Sequence, residues 1–280
     1  MSHNVSAWVD RLVSGRRPSP AIAKVVAVLC ADPRLCAFAT VQQLAVVAQV
    51  NIATVTRTVQ FLGFSGWPAF VSDYRGQYLA TLTADRILSS SPQGVHGIAS
   101  ILEDVRALES LSETLDVDHI EAGAKLIHEA RRGVVLATGI YAGPAAQLVH
   151  GAQLLGCDLS LQTGAVSAQL NAVRLLTEED IVVTFNIWKT TEAVNQLALL
   201  AVERGVPVLA VADRSTPVAE RSRVVITVPS ESSRYLPSTV PATSAIQALL
   251  MGVAERDRLA AEVSLREADD MWRRVGVVVD

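Results

Sequence analysis

Several side chains of this 280-residue sequence could transfer protons. The candidates are the carboxylates Glu192 and Glu231 and the imidazoles His128 and His150, because moving a proton next to a carbonyl requires a base. Their spacing does not define an acid–base pair. The sequence also has no zinc-ligand spacing, P-loop, GxSxG motif or G-x-G-x-x-G run. We therefore expect a protein that is not an enzyme and that has no catalytic residue, metal site or cofactor.

A second group of residues could read double-stranded DNA. An arginine can bind a guanine edge or a phosphate, a glutamine can pair with adenine, and small residues let a helix approach the bases. The candidate DNA-binding residues are Thr40, Asn51, Ala53, Thr54, Thr56, Arg57 and Gln60.

The pattern of residues 40–64 predicts two short helices that would position this group. Thr40 can cap the first, with Gln43 in capping-box spacing, and a turn follows at Gln49–Val50. Asn51 can cap the second, which Gly63 ends. The spacing predicts one buried stripe, with the other side outward. The stripe is Ile52, Val55, Val59 and Leu62, and the outward residues are Ala53, Thr54, Arg57, Gln60 and Phe61. A helix-turn-helix that enters the major groove fits this pattern, and so does an ordinary helical hairpin with a solvated polar face.

Composition and charge agree with a folded protein in two parts. Half of the residues are hydrophobic and 19% are charged, which excludes disorder along the whole chain. Residues 1–80 contain seven basic and three acidic residues, a balance of +4, while the remaining 17 basic and 25 acidic residues give −8. A basic N-terminal part followed by an acidic remainder is typical of a protein whose N-terminal domain binds nucleic acid. The three cysteines predict buried thiols rather than disulfides. No apolar run spans a bilayer and no signal peptide is evident, so we expect a cytoplasmic protein without a membrane partner.

The rest of the chain predicts a mixed fold. Short apolar runs that alternate with helix-length segments indicate a doubly wound, five-stranded parallel sheet. The runs are 133–138, 157–162, 180–186, 206–212 and 223–228, and the helices are 143–155, 165–177, 190–204, 240–256 and 255–274. We expect an all-α helix-turn-helix domain over 1–80 and a linker with a connecting helix over 81–117. An α/β domain for effector binding and dimerisation would then occupy 118–280.

The segment LAVVAQVNIATVTRTVQFLGFSGWPAF resembles the helix-turn-helix of RpiR-family bacterial transcriptional regulators. The shared features are the LA-x-x-A start, the small-Thr-Val-x-Arg run at 53–57, and Leu-Gly-Phe followed by glycine at 62–66. The resemblance implies a dimer, or a larger homo-oligomer, that binds an operator. The family often has basic residues at the positions of Gln60 and Phe61, which implies weaker or less salt-sensitive binding here.

Residues 118–250 resemble the sugar isomerase (SIS) domain, which in such regulators senses phosphorylated sugars. The resemblance is best over 206–232, where Asp213 ends a strand as a ligand-facing residue or a helix cap. The two ligand loops read TGIYAGPAA at 138–146 and NIWKTTE at 186–192, and both depart from the family pattern. The implied effector-binding residues are Gly139, Tyr141, Gly143, Asn186, Trp188, Lys189, Thr190, Thr191 and Glu231.

Two interpretations of this pocket stay open at the level of the sequence. Lys189, the two threonines and backbone amides could retain an anionic site, with Trp188 stacked on a sugar. Alternatively, Tyr141 and Trp188 fill a pocket that is lost or reshaped for another ligand, which the loss of two hydroxyls and a glycine favours. A regulator that senses a sugar phosphate or related metabolite is the main hypothesis. An SIS-type isomerase or lyase, and an oligomeric scaffold, are the alternatives.

Overall fold

The computed structural model describes residues 5–81, 97–230 and 237–277. The chain divides into two compact units, the first formed mainly by residues 1–103 and the second mainly by 104–228 and 239–280. Helix α7, Gly97–Thr114, contains the point in the chain at which the first unit ends and the second begins. Among the described residues, no helix is both long enough and apolar enough to cross a bilayer.

The first unit is helical and is built around an aromatic core. Its helices are Val5–Val13 (α1), Pro20–Ala31 (α2), Pro33–Phe38 (α3), Val41–Val47 (α4), Ile52–Phe61 (α5) and Trp67–Ala80 (α6). The rings of Trp8 and Phe70 lie 6.1 Å apart, and those of Phe70 and Tyr74 5.4 Å apart. The Tyr74 hydroxyl donates to the Leu29 carbonyl, so its polar atom is paired although the ring is buried. Packed aromatic pairs of this kind add to the stability that the aliphatic side chains of this core provide.

The second unit contains the five-stranded sheet, all of it parallel, in the order β2-β1-β3-β4-β5. Its elements are Val117–Glu129 (α8), Gly133–Leu136 (β1), Ala142–Leu154 (α9), Leu159–Gln162 (β2), Val166–Arg174 (α10), Ile181–Asn186 (β3), Glu192–Glu203 (α11), Val208–Ala212 (β4), Pro217–Arg221 (α12), Val224–Thr227 (β5), Val240–Arg256 (α13) and Arg258–Arg274 (α14). The predicted α/β class is therefore confirmed, and each strand is slightly shorter than its apolar run.

Both faces of the sheet are covered, which explains the nearly continuous apolar runs. Along β1, Val135 belongs to the core under α8, α9 and α13, whereas Val134 and Leu136 belong to the opposite core under α10 and α11. The central strands β3 and β4 are buried at every position. The three cysteines are free thiols rather than disulfides, as the sequence predicts, but only Cys36 is buried, whereas Cys30 and Cys157 are half-buried.

Helices α8 and α13 pack closely because each has a glycine in the contact. A Cβ at Gly123 would lie 3.2 Å from a Leu249 methyl and 3.3 Å from a Leu209 methyl. A Cβ at Gly252 would lie 3.0 Å from the Cβ of Ala124. Any larger side chain at either position would have to displace a well-packed neighbour.

The buried carboxylate of Asp180 joins β3 to the loop that precedes β1. Its Oδ2 accepts hydrogen bonds from Arg131 at 2.9 Å and from the Thr177 backbone N–H at 2.8 Å. Burial by itself raises the pKa of this carboxyl, but the bonds from Thr177 and the charge of Arg131 outweigh it and leave the pKa below its ordinary value. The charged form therefore stabilises the folded state.

We expect Asp180→Asn to lower the free energy of unfolding at pH 7 by about 2 kcal/mol, because it removes hydrogen bonds to a charged group. A depressed folded-state pKa gives stability that is fully present above the unfolded-state pKa, about 3.9. That stability is lost as the pH falls through the lower, folded-state pKa. Urea unfolding of the protein and the variant should thus converge below about pH 4. A constant difference between pH 7 and pH 3 would contradict this role.

Candidate functional site

The first candidate site is the helix pair α4 and α5 with its connecting turn. Thr40 forms a complete capping box on α4, since its Oγ1 accepts from the Gln43 N–H at 3.2 Å and its own N–H donates to the Gln43 side chain at 2.8 Å. Gln49 makes the turn in the left-handed region with φ of 53°. Asn51 caps α5 by accepting from the Thr54 N–H at 2.8 Å. Thr40 and Asn51 therefore position the two helices through caps, as their sequence context predicts.

Two positions of α5 differ from the predicted faces. The spacing predicts Thr54 on the outward face, but it is 8% exposed, and its hydroxyl donates to the Asn51 side chain at 2.8 Å. The spacing also predicts Ile52 in the buried stripe, but it is 46% exposed. Thr54 and Thr58 turn inward beside Val55 and Val59 because local bonds satisfy their hydroxyls, which removes the cost of burying them. The buried face is therefore rotated towards the threonines.

The outer face of α5 consists of small and hydrogen-bonding residues. Ala53, Arg57 and Gln60 are exposed, and Thr56 is half-buried with its hydroxyl on the Ile52 carbonyl at 3.3 Å. The Arg57 Nε donates to the Ala53 carbonyl at 3.2 Å, so the guanidinium lies along this face. These four residues recur three or four positions apart and form one continuous row on the helix. Thr56, Arg57 and Gln60 carry groups that can hydrogen-bond to base edges, and the small side chain of Ala53 leaves room for a close approach.

The second candidate site lies where β1, β3 and β4 end, the edge at which open parallel sheets bind ligands. After β1, Gly139 and Gly143 are exposed, while Tyr141 is 4% exposed. Burial raises the pKa of the Tyr141 hydroxyl, and the nearby carboxylate of Asp213 raises it further, while Arg214 opposes that effect. The loop after β1 and the end of β4 therefore come together at this edge.

An ion pair at the end of β4 holds the loop after β3. Asp213 and Arg214 are buried, with Nη1 and Oδ1 2.7 Å apart. The other Asp213 oxygen accepts from the Trp188 N–H at 2.8 Å, and Arg214 Nη2 donates to the Trp188 carbonyl at 2.6 Å. Trp188 has a φ of 56°, a conformation that non-glycine residues adopt rarely. We name these three residues the Trp188 clamp. Asp213 is not the cap of the helix that follows, because Thr216 caps α12.

Around the clamp, the other predicted effector residues differ in accessibility. Asn186 is buried, donates to the Asn195 side chain at 2.7 Å, and has an Oδ1 without a partner among the described residues. Lys189 and Thr191 are exposed and Thr190 is half-buried. The Lys189 ammonium lies 5.2 Å from the centre of the Trp188 ring. Thr191, the residue before α11, does not cap the helix with its side chain, which leaves backbone N–H groups of the first turn open to an anion.

Of the residues considered for catalysis, the three that the structure describes lie on three different helices. The His150 ring stacks on Trp272 of α14, with centres 6.2 Å apart. The Glu192 carboxylate accepts from Gln196 at 2.7 Å, and His128 lies in the last turn of α8. Glu231 lies outside the described residues. Within the described ranges, no group of histidine, cysteine and acidic residues could hold a metal ion.

Sequence reasoning missed two arginines. Arg214 holds the loop after β3, and Arg16 packs on the end of α5, over the ring of Phe61. Only Arg214 had a signal in the sequence, because it directly follows an aspartate at the carboxyl end of a strand. The partner of Arg16 is 45 residues away in the chain, so no local pattern indicates the pair.

No family model and no curated protein matches the chain. Among solved structures, the sugar isomerase domain of an RpiR transcription factor from Sphaerobacter thermophilus is 25% identical, with a TM-score of 0.59 over 62% of this chain and 97% of that chain. The NanR protein of Vibrio vulnificus, complexed with ManNAc-6P, is 16% identical with a TM-score of 0.64, over 99% of this chain and 100% of that chain. A candidate sugar-phosphate isomerase from Listeria monocytogenes is 18% identical with a TM-score of 0.53, over 65% and 96% of the two chains. The second unit therefore has the SIS-like α/β fold, and the helical unit that precedes it is consistent with a similarity that extends over nearly the whole chain.

Proposed function

We propose that this protein is a cytoplasmic bacterial transcriptional regulator of the RpiR type. The helical unit would bind an operator as a dimer, with α5 in the major groove. The SIS-like unit would bind a sugar phosphate or a related small metabolite. The observation on which the proposal depends is the 25% identity of the second unit to the sugar isomerase domain of an RpiR transcription factor. Helix α5 supports it, since Ile52 is the only large hydrophobic residue of this helix that is exposed.

The effector would bind at the ends of β1 and β3, near Gly139, Gly143, Lys189, Thr190 and Thr191. The first turn of α11 offers N–H donors and Lys189 offers a positive charge, which together suit an anion. NanR, whose fold is shared, was solved with ManNAc-6P. Tyr141 and Asn186 are buried and would line the floor of such a site rather than contact a ligand at its mouth.

Selection of genomic DNA fragments by the full-length protein tests the DNA-binding function. A dimer with one α5 in each half-site should enrich fragments that contain an inverted repeat, with half-sites about one helical turn apart. Mobility-shift titrations of a selected fragment, with and without one sugar phosphate at a time, would then identify the effector as the compound that changes DNA binding. Enrichment of no fragment at any salt concentration would contradict the regulator. Turnover of a phosphosugar by the pure protein would favour the isomerase instead.

We expect Lys189→Ala to weaken the binding of a phosphosugar two- to fivefold, roughly the contribution of one exposed ion pair. Isothermal titration calorimetry with ManNAc-6P and other hexose and hexosamine 6-phosphates would measure it. Lys125→Ala is the matched control, because Lys125 is an exposed lysine of α8 that pairs with Glu129. Equal affinities for the protein and Lys189→Ala would remove Lys189 from the site. Tight binding of the unphosphorylated sugar alone would favour the reshaped pocket.

A further inference from the structure

Helix α5 has few cations with which to hold DNA. Arg57 is the only charged residue of its ten. The carbonyl groups at its C-terminal end also give a partial negative charge, which repels phosphate. Affinity for DNA depends largely on phosphate neutralisation, so an operator-binding surface needs positive charge beside the recognition helix. In this molecule that charge comes from another part of the chain.

The loop between α1 and α2 brings Arg16 to the end of α5. The Arg16 guanidinium donates to the backbone carbonyl of Phe61, the last residue of α5, and lies 5.8 Å from the centre of the Phe61 ring. Phe61 follows Arg57 by four residues and so lies one turn beyond it on the same side of the helix. Arg16 thereby adds a second positive charge one turn beyond Arg57, and it pairs with a carbonyl at the C-terminal end of the helix, where the partial charge is negative.

The loop is held in a defined conformation. Gly15 adopts a φ of 76°, which only glycine reaches without strain, and the Arg16 N–H donates to the Val13 carbonyl at 3.0 Å. Ser19 then caps α2, which begins at Pro20. Arg17, directly after Arg16, is exposed and makes no hydrogen bond or ion pair with any residue that the structure describes. One arginine is therefore fixed against α5, and its neighbour is available to a partner.

We propose that Arg16 and Arg17 form a phosphate-binding arm that grips the DNA backbone beside α5, an inference that rests on the proposed operator binding. Arg16 neutralises the carbonyl end of the helix and orients the arm, and Arg17 binds a backbone phosphate. The contact is independent of sequence, because phosphates are the same at every base pair. The arm therefore contributes affinity and salt dependence, while α5 contributes specificity.

The experiment measures the dissociation constant of the full-length protein for its best selected duplex at several salt concentrations. Arg17→Gln should reduce the slope of log K against log[salt] by about 0.9, the value for one phosphate contact, and weaken binding about five- to tenfold at 0.1 M salt. The preference between the selected duplex and a scrambled one should not change. Arg16→Lys keeps the charge and should retain most of the slope, whereas Arg16→Gln should reduce it.

Arg256→Gln is the matched control, because it removes the same charge from an exposed arginine at the end of α13 in the second unit. It should leave the salt slope as in the unmodified protein. If Arg17→Gln and Arg256→Gln gave the same slope while the protein bound its duplex, the arm would be overturned and operator binding would stand. If the unmodified protein retained no duplex at all, the proposed function and the arm would both be overturned.

Discussion

Replacing Asp213 with alanine is expected to lower the stability of the second unit by about 3–5 kcal/mol, because the buried Arg214 guanidinium would lose its counter-charge. The Trp188 N–H would lose its acceptor at the same time. Hydrogen exchange of the full-length protein measures this effect at the amides of β3 and β4, which the clamp joins. Those amides should exchange far faster in the variant, whereas the amides of α2 and α5 in the first unit should not change.

A double-mutant cycle separates the ion pair from the general effect of shortening two side chains. Arg214→Ala should also destabilise the unit, because it removes the counter-charge of a buried carboxylate. The double variant Asp213→Ala/Arg214→Ala should cost much less than the sum of the two single changes, with a coupling of about 1–3 kcal/mol. Additive effects would mean that the two charges do not stabilise each other and that the ion pair does not hold the clamp together.

Ala53→Glu is expected to abolish specific DNA binding, with a loss of at least about a hundredfold in affinity. The change puts a carboxylate at the second position of α5, on the outer row that would face the DNA, where it would meet phosphates of like charge. The fold should not suffer, since an acidic residue in the first turn of a helix stabilises it by about 0.3–1 kcal/mol. Fluorescence anisotropy with the selected duplex measures the binding, and thermal unfolding measures the fold.

Ala260→Glu offers a close control for this change. Ala260 is also an exposed alanine in the first turn of a capped helix, α14, but in the second unit. Its substitution should leave DNA binding within about twofold. If Ala53→Glu bound the duplex as well as Ala260→Glu does, α5 would not be the recognition helix.

The sheet could be predicted from the sequence because strands that are buried on both faces are apolar at nearly every position. Runs such as those of β3 and β4 are apolar at nearly every position, and short runs of this kind between helices are typical of strands in a covered parallel sheet. The helix caps could also be predicted, since the side chains of Thr40 and Asn51 accept hydrogen bonds from backbone N–H groups only three residues later. Local chemistry of this kind does not depend on the rest of the fold.

The orientation of α5 could not be read in the same way. Hydrophobic spacing placed Ile52 inside and Thr54 outside, and the structure reverses both. A threonine hydroxyl can bond to the cap or to the preceding turn, so a polar residue can be buried without an unpaired group. Whether it is buried depends on the helices packed against α5, and these are distant in the chain.

The meeting of the loops after β1, β3 and β4 at one edge could be predicted, but their geometry could not. Parallel strands place their following loops at one edge, so the ends of β1, β3 and β4 had to meet. The clamp depends on a left-handed Trp188, which a tryptophan does not indicate, because residues other than glycine rarely adopt this conformation. Its geometry is therefore visible only in the folded structure.

The glycine contact between α8 and α13 has a mechanical consequence. Because Gly123 and Gly252 allow the two helices to pack closely, we expect α8 and α13 to move together rather than to slide past each other. Since α7 ends only two residues before α8 begins, a displacement of α8 would also move the end of α7.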